Sequence, residues 1–460
     1  MELDVSEMMV GRAGALRLAY RKGLLLSDAY APGLRYEERL RAYVGLPYRY
    51  ADVLAYFRES GISVEDEVIS PLPLQLGRGE ELKLRDYQRR ALEAWRRAGR
   101  RGVVVIPTGA GKTIIALEAI REVAGATIVL VPTIDLLWQW SRAIAKHLGV
   151  TPGVLGGGED EVRGITVSTY DSAYSRAEEL GNRFVLAVFD EVHHLPSPGY
   201  MEVAQVLAAP YRLGLTATPE REDGRHSLLP DLVGPIVIRV SPAELRGKYL
   251  ADYDVKRVYV SLTDDERARY EELRRRLRGD LGRLGLRLRS LDDFHRLLSL
   301  AARDPVAKDA VEAWYESVRL AVNSRAKLEA LRELLREYSD RKVLVFTRDT
   351  EMAYAISREF LVPAVTYKTP KEERAKVLEM FRRGDYRVIV ASSVFDEGVD
   401  VPDAGVAVIV GGYGTPRQFV QRLGRVLRPA EGKRALLIEL VTRGTVDGRI
   451  SRRRREGAEV

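Results

Sequence analysis

The sequence predicts an α/β protein in which two parallel-sheet domains follow each other along the chain. Short apolar strands alternate with helical patterns in two separate stretches, which is typical of strands joined by crossover helices. These strands are apolar throughout rather than alternating, as in sheets that helices cover on both faces. A chain of 460 residues is also too long for one ordinary core.

The two sets of strands give the expected domain organisation. The first set of predicted strands covers 102–106, 127–131, 165–169, 185–189 and 212–216. The second set covers 342–347, 387–392, 406–410 and 435–440. We therefore expect an N-terminal α+β module over 1–75, a first sheet domain over 76–240, a linker with a helical insertion over 241–320, and a second sheet domain over 321–460.

The insertion has a helical pattern of its own. Leucines recur at helical spacing between positions 273 and 291, and arginines fill the other face. We expect Gly279, Gly282 and Gly285 to divide this segment into short helices, because glycine disfavours helix interiors. The arginines around 267–289 either grip a nucleic-acid duplex or form a solvated face. The arginine-rich tail Ser451–Gly457 is predicted to be disordered, with a DNA contact as the lesser alternative.

Composition excludes several classes of protein. The chain has no cysteine, which excludes disulfides, thiolate zinc sites and iron–sulfur clusters and favours a reduced, intracellular location. No stretch approaches the roughly 18 apolar residues of a membrane span, and the first residues do not resemble a secretion signal. We expect no membrane partner and a cytoplasmic location. The net charge of +7 fits a polyanionic partner and a mixed solvated surface about equally well.

The segment IPTGAGKT, Ile106–Thr113, stands between a predicted strand and a predicted helix. In that context Gly109 and Gly111 let the backbone turn so that N–H groups meet phosphate oxygens, aided by the helix N-terminus. Lys112 supplies a cation for the phosphates and Thr113 a hydroxyl ligand for Mg²⁺. Together with Thr108 and Ala110, these residues predict an ATP–Mg²⁺ site. The strict pattern has glycine at the position of Ile106, so the match is to a relaxed form.

Two acids and two histidines follow another predicted strand in VLAVFDEVHHLP, Val185–Pro196. A transition-metal site, a loop turn and the hydrolytic end of a nucleotide site are the alternatives. A histidine-bound metal needs a further ligand that the sequence does not supply. We therefore expect Asp190 to hold Mg²⁺, directly or through water, and Glu191 to orient and deprotonate the attacking water. His193 and His194 are expected either to connect the site to the next domain or to cap the loop, and the structural role is kept open for His194 in particular.

The ordered series of motifs resembles the superfamily 2 helicases and translocases, whose fold is two RecA-like domains. The series continues with LRDYQ, VPTIDLLWQW, VSTYDSA, TATPE, VLVFTRD, SSVFDEGVDVP and QRLGRVLRP, and covers most of the chain from Leu84 to Pro429. The resemblance implies base contacts by Arg85 and Gln88, and a ribose or interdomain role for Asp400. It leaves the role of Glu397 open, because many relatives have a basic residue there.

The same resemblance implies further roles. Gln421, Arg425 and Arg428 lie at helical spacing, and the two arginines are implied to reach the γ-phosphate together with Lys112. The implied nucleic-acid contacts are Thr133, Thr169, Thr347 and Arg348. The implied coupling residues are His193, Thr216 and Thr218. Trp138 and Trp140 are expected in the core, with base stacking as the lesser alternative.

The tripeptide Arg221-Glu222-Asp223 after TATPE resembles the XPB (Rad25-like) family of repair and transcription translocases, where this element is associated with DNA unwinding. With an N-terminal module like a damage-recognition domain and a thumb-like insertion, the chain is most similar to an archaeal XPB. The resemblance implies ATP-dependent 3'-5' translocation on double-stranded or forked DNA, in nucleotide excision repair or transcription, and permits a nuclease partner. An ATPase stimulated by RNA and a non-catalytic scaffold are the alternatives.

Overall fold

The structure is a computed structural model of the chain, and it describes residues 16–107, 109–221, 223–245, 253–288, 291–392, 404–411 and 435–456. These residues form two compact units, the first ending at Leu245 and the second following it. Among the described residues, no helix has both the length and the apolar character that crossing a membrane requires.

The first unit begins with the N-terminal α+β module, as predicted. Its sheet has the order β3-β4-β2-β1-β5, in which only the β1–β5 pair is parallel. The strands are β1 (Leu16–Arg21), β2 (Leu24–Ser27), β3 (Arg35–Glu37), β4 (Ala42–Gly45) and β5 (Val64–Glu67). Helix α1 (Tyr50–Glu59) covers this sheet, and its Val53 and Phe57 pack against Leu18 and Leu25 in a dry core.

The eight-stranded sheet that follows has the order β13-β6-β12-β11-β7-β10-β8-β9 and is parallel except for β9. Its strands are β6 (Arg101–Val105), β7 (Thr127–Val131), β8 (Gly153–Gly156), β9 (Glu159–Asp160), β10 (Ile165–Thr169), β11 (Leu186–Asp190), β12 (Tyr211–Thr216) and β13 (Ile236–Arg239). The central strands β7, β10 and β11 are buried along their whole length, as their uniform apolar character predicted. The predicted first set of strands is confirmed to within one residue at each end.

Helices follow the strands of this sheet in the crossover pattern of a parallel sheet. They are α2 (Asp86–Arg97), α3 (Lys112–Val123), α4 (Ile134–Leu148), α5 (Tyr170–Ser175), α6 (Ala177–Leu180), α7 (Tyr200–Val206), α8 (Leu229–Leu232) and α9 (Pro242–Leu245). Because every strand at the centre runs the same way, the loops that carry the motifs lie at one edge of the sheet, where open α/β sheets bind ligands.

The N-terminal module is attached to the eight-stranded sheet domain by side-chain and backbone hydrogen bonds. The Tyr48 hydroxyl donates to Asp231 Oδ2 at 2.8 Å, and Arg49 Nη2 lies 2.5 Å from Asp231 Oδ1. Asn182 Nδ2 donates to the carbonyl of Val68 at 3.0 Å. Asp231 lies on α8, ten residues after Arg221, so the module contacts the segment that follows the tripeptide.

The second unit contains a six-stranded parallel sheet of order β14-β19-β18-β15-β17-β16, as the second strand set predicted. Its strands are β14 (Tyr253–Val260), β15 (Val343–Thr347), β16 (Ala364–Val365), β17 (Val388–Ser392), β18 (Val406–Ile409) and β19 (Ala435–Thr442). Strand β14 pairs with β19 along eight residues. The segment 241–320 therefore contributes an edge strand to this sheet as well as helices.

The helices of the second unit include the predicted insertion. They are α10 (Asp264–Arg283), α11 (Leu291–Ala301), α12 (Pro305–Val322), α13 (Arg325–Glu337), α14 (Thr350–Phe360), α15 (Lys371–Arg383) and α16 (Val446–Glu456). In the insertion, Leu273 and Leu277 of α10 and Leu297 of α11 pack against the buried alanines of α12.

The expectation that glycines divide the insertion was wrong for Gly279 and Gly282. Helix α10 runs without a break through both positions, which face open space. Each glycine costs about 1 kcal/mol of helix stability, and the buried leucine stripe outweighs that cost. Only Gly285, with φ +63°, lies beyond the end of the helix.

The prediction of a disordered tail was also wrong, because Ser451–Glu456 form the last turns of α16. The helix is held at its start, where Val446 packs beside Tyr270 and Val322 and its backbone N–H donates to the Tyr270 hydroxyl at 2.9 Å. Tertiary packing of one end is what makes a short arginine-rich helix stable.

Candidate nucleotide site

The glycine-rich loop joins β6 to α3 at the carboxyl edge of the eight-stranded sheet. Gly109 and Gly111 have φ of +79° and +80°, in the left-handed region that side chains disfavour. Helix α3 begins at Lys112, and Thr113 lies half-buried in its first turn. Ala110 is fully buried beneath the loop. A 12-residue helix therefore starts directly after this loop, and its first backbone N–H groups, which have no partner within the helix, suit an anion.

Two neighbouring side chains of α2 hold the loop from behind. The Tyr87 hydroxyl donates to the carbonyl of Ala110 at 2.5 Å, and Gln88 Nε2 donates to the same oxygen at 3.1 Å. Gln88 Oε1 accepts from the backbone N–H of Arg85 at 2.8 Å, which caps the helix. Gln88 is buried, and both ends of its amide are hydrogen-bonded to backbone groups of the protein, while Arg85 is exposed.

The two acids lie where strand β11 ends. Lys112 Nζ donates to Glu191 Oε1, and only 7% of the Lys112 side chain and 14% of the Glu191 side chain are exposed. The phosphate-loop lysine and the second acid, 79 positions apart in sequence, are therefore ion-paired.

Asp190 is enclosed more tightly than Glu191. Its Oδ2 accepts from the indole Nε1 of Trp140 at 2.8 Å, and its Oδ1 accepts from the backbone N–H of Glu191 at 3.0 Å. Burial raises the pKa of Asp190 and the charge of Glu191 raises it further, while Lys112 and the two donors oppose the rise. Burial and the neighbouring carboxylate therefore disfavour the charged form of Asp190.

The backbone of Glu191 is in an unusual conformation. Its φ of +46° and ψ of +53° are left-handed values that a residue with a β-carbon rarely adopts. Such residues persist when their surroundings hold them, and they concentrate at functional sites. The turn Val192–His194 that follows is a single turn of 3₁₀ helix.

His193 connects this turn to the end of strand β12. Its Nδ1 lies 3.0 Å from Thr216 Oγ1 and 3.5 Å from Glu191 Oε2. The Thr216 hydroxyl in turn lies 3.1 Å from the carbonyl and 3.0 Å from the N–H of Thr218. The three residues predicted to couple hydrolysis to movement are thus in direct contact. The His194 ring lies beside that of His193, with ring centroids 4.3 Å apart and the two planes tilted by 37°.

Arg221 of the tripeptide is bonded to the same turn. Its Nη1 donates to the carbonyl of His193 at 2.7 Å, and its Nε and Nη2 donate to the two carboxylate oxygens of Asp223 at 2.9 Å and 2.7 Å. This contact lowers the pKa of Asp223. Arg221 and Asp223 therefore adjoin the candidate nucleotide site.

The residues predicted to contact nucleic acid have local structural partners. The Thr133 and Thr169 hydroxyls cap α4 and α5 by accepting from backbone N–H groups, at 3.3 Å and 3.2 Å. Both threonines lie at the same edge of the sheet as the glycine-rich loop. Thr347 and Arg348 of the second unit are buried, and burial lowers the pKa of Arg348 to about 10. The nucleic-acid role of these four residues stays a prediction.

Several predicted site residues lie outside the described residues. They are Thr108, Glu222, Glu397, Asp400, Gln421, Arg425 and Arg428.

Two contributors escaped the sequence analysis. Tyr87 was quoted within LRDYQ without a role, and Trp140 was expected in the core, with base stacking as the lesser alternative. Trp140 is 1% exposed, as that expectation required, and also supplies a donor to Asp190. A buried indole N–H needs an acceptor, so the sequence could signal that Trp140 has a polar partner, but not that this partner is Asp190.

Comparison with known proteins agrees with this geometry. Residues 18–68 match the Xeroderma pigmentosum group B helicase damage recognition domain. Residues 81–221 match the type III restriction enzyme res subunit family, and residues 326–430 match the helicase conserved C-terminal domain. The "DNA 3'-5' translocase XPB2" of Sulfurisphaera tokodaii is 60% identical over 95% of this chain and 99% of its own length. The chain belongs to the XPB family of helicases.

More distant members extend the XPB family match. The "DNA 3'-5' helicase XPB" of Mycobacterium tuberculosis is 31% identical over 80% of this chain, which spans 62% of that protein. The Saccharomyces cerevisiae "General transcription and DNA repair factor IIH helicase/translocase subunit XPB/SSL2" is 26% identical over 79% of this chain and 42% of its own length. Among solved structures, the Hef helicase domain of Pyrococcus furiosus shares the fold, with a TM-score of 0.54 at 21% identity, over 80% of this chain and 97% of that one.

Proposed function

We propose that this chain is an ATP-driven DNA translocase and helicase with 3'-5' polarity that opens duplex DNA in nucleotide excision repair or transcription. The observation that carries the proposal is the contact between Lys112 of the glycine-rich loop and Glu191 of the acidic turn. It occurs in a family whose 60%-identical member is named as a DNA 3'-5' translocase.

ATP is the substrate, and the loop supplies the contacts for its phosphates. The N–H groups that Gly109 and Gly111 orient, together with the start of α3, suit anionic oxygens. Binding requires Lys112 to exchange the Glu191 carboxylate for a phosphate. That exchange releases Glu191 to orient a water molecule and take its proton, so substrate binding itself prepares the general base.

The residues present fit Mg²⁺. Asp190 and Thr113 offer the oxygen ligands that this ion prefers. Burial and the charge of Glu191 raise the pKa of Asp190, and a cation bound there would stabilise its charged form. Both Asp190 oxygens already accept hydrogen bonds, which favours contact through bound water. When bound, the ion neutralises charge on the phosphates during transfer.

Arg85 and Gln88 are proposed to read the base of ATP. Gln88 bonds to the loop carbonyls of Ala110 and Gly111, so it also links base recognition to the phosphate-binding loop. The proposed roles of Asp400, Gln421, Arg425 and Arg428 in ribose and γ-phosphate contact rest on the family pattern alone.

The helical insertion is proposed to contact the DNA backbone. Arg269, Arg276 and Arg283 of α10 are paired with carboxylates. Within the part of the chain that the structure describes, Arg274, Arg278 and Arg449 form no ion pair. Burial lowers the pKa of Arg274, and the charges of Arg449 and Arg278 lower it further. Such uncompensated cations favour phosphate binding.

Thr133, Thr169, Thr347 and Arg348 remain proposed backbone contacts, since a motor that works on any sequence must grip phosphates rather than bases. We also propose that the chain acts with a nuclease partner. Its proposed location is the cytoplasm of a prokaryotic-type cell, where the DNA of such a cell lies.

The test compares ATP hydrolysis without nucleic acid and with DNA or RNA of equal length. We expect stimulation by double-stranded or forked DNA above that by RNA. Equal or stronger stimulation by RNA, or no hydrolysis at all, would overturn the proposal. Pull-down with purified candidate nucleases tests the partner separately.

A further inference from the structure

The guanidinium of Arg221 joins the tripeptide to the turn that carries the proposed general base. Three of its nitrogens are engaged: Nε and Nη2 with the Asp223 carboxylate, and Nη1 with the His193 carbonyl at 2.7 Å and Ser197 Oγ at 3.4 Å. Only 22% of the side chain is exposed. Of these donors, Nη1 is directed at the acidic turn, while Nε and Nη2 hold Asp223 of the same loop.

Two contacts connect Arg221 to Glu191, and both are made by His193. Arg221 fixes the carbonyl of His193, whose ring lies 3.5 Å from Glu191 Oε2 and 3.0 Å from Thr216 Oγ1. Because the guanidinium is planar and held at Asp223 by two bonds, it fixes the carbonyl more firmly than a single donor would.

The turn also needs restraint from outside. Glu191 has left-handed backbone angles, which its own sequence does not favour. At the entry of the turn, Asp190 accepts from the Glu191 N–H. At the exit of the turn, Arg221 reaches from another loop and donates to the His193 carbonyl. The strained residue therefore lies between two fixed points.

We propose that Arg221 is a positioning residue for ATP hydrolysis, which holds Glu191 in place through His193, and that it supports unwinding by this route. The inference rests on the proposed ATPase function. It differs from a DNA contact in one measurable way: its effect is present when no DNA is added.

The experiment measures steady-state ATP hydrolysis of the full chain without nucleic acid, for wild type, Arg221→Ala, Arg221→Lys and Arg225→Ala. Arg225 is an exposed arginine of the same loop whose side chain forms no hydrogen bond in the described part of the chain. For Arg221→Ala we expect kcat to fall about tenfold, the factor for one charge-assisted hydrogen bond, with KM for ATP unchanged. Arg221→Lys keeps one donor, so its kcat should fall only about threefold. Arg225→Ala should match wild type.

A wild-type kcat in Arg221→Ala, with loss of DNA unwinding only, would overturn the inference in favour of a DNA contact. A raised KM at unchanged kcat would overturn it in favour of ATP binding. If Arg221→Ala does not fold, Arg221→Lys decides at a temperature where it is fully folded, and a wild-type kcat contradicts the inference. A wild-type protein without ATPase activity would instead refute the proposed function.

Discussion

The two units each contain a buried lysine paired with a carboxylate, and the two pairs differ in what surrounds them. In the first unit Lys112 meets Glu191 beside a second acid, Asp190, whose pKa is raised. In the second unit Lys327 of α13 meets Asp447 of α16 at 2.7 Å, and both side chains are almost completely buried. There, Lys327 also donates to the carbonyl of Val410, and Asp447 accepts from the N–H of Thr442.

In the proposed function the first pair must open when ATP binds, whereas the second pair must stay closed to hold the fold. In the first pair, the second acid Asp190 and the left-handed backbone of Glu191 adjoin the contact, so a ligand that binds Lys112 and supplies its own cation would stabilise both carboxylates. The second ties α13, the end of β18 and the start of α16 together through backbone groups, and nothing is gained by breaking it. Under the proposed function, the same chemical pair serves hydrolysis in the first unit, while in the second it joins elements of the fold.

The largest effect should follow Lys112→Met, which removes the cation from the first pair. We expect ATP hydrolysis to fall at least about 10²-fold, with weaker ATP binding, because a preorganised charge for the phosphates is lost. Stability should also fall, by about 3 kcal/mol, since two buried acids lose their partner. Asp190 binds a proton more tightly in the folded protein than in the unfolded chain, because its pKa is raised on folding. The loss of stability should therefore grow as the pH rises and Asp190 ionises. Wild-type ATP affinity in this variant would contradict the comparison.

Lys327→Met tests the second pair. Asp447 would be left buried without its cation, and we expect the free energy of unfolding to fall by about 3–5 kcal/mol while KM for ATP stays unchanged. Chemical denaturation measures the loss. Adding Asp447→Asn removes the unpaired charge and should recover most of the stability; no recovery would show that the ion pair is not the cause.

Trp140→Phe should sharpen the account of Asp190. It removes one donor from a buried carboxylate, so the pKa of Asp190 should rise further and the acidic limb of the kcat profile should move to higher pH. At neutral pH we expect kcat to fall about tenfold at unchanged KM. The matched control is Trp95→Phe, since the buried Trp95 donates only to the carbonyl of Arg212. An identical pH profile for Trp140→Phe and wild type would exclude this role.

The smallest effect concerns the attachment of the N-terminal module. Tyr48→Phe removes the 2.8 Å bond to Asp231 and should lower the free energy of unfolding by about 0.5–1 kcal/mol. The control is Tyr36→Phe, on a tyrosine that is 57% exposed. Equal unfolding midpoints for the two variants would count against the contribution of that bond.

Strands, the glycine-rich loop and the acidic turn could be predicted because each depends on residues close in sequence. Strand identity follows from runs such as TIVLV, and the direction of parallel strands places Lys112 and Glu191 at one edge. Contacts over long sequence separations were not predictable in this way. The Trp140–Asp190 bond, the Arg221–His193 bond and the Lys327–Asp447 pair each depend on how loops from different strands meet. The continuity of α10 likewise depends on packing against α12, which propensity at Gly279 does not reveal.

In the proposed mechanism, Glu191 becomes the general base once Lys112 contacts a phosphate instead of the Glu191 carboxylate. The most direct measurement is single-turnover ATP hydrolysis by Glu191→Gln, alongside ATP binding by the same protein. We expect hydrolysis to be slower by about 10²–10⁴-fold, with ATP binding as tight as in wild type or tighter, because the glutamine does not compete as an anion for Lys112. Hydrolysis at the wild-type rate in this variant would contradict this mechanism.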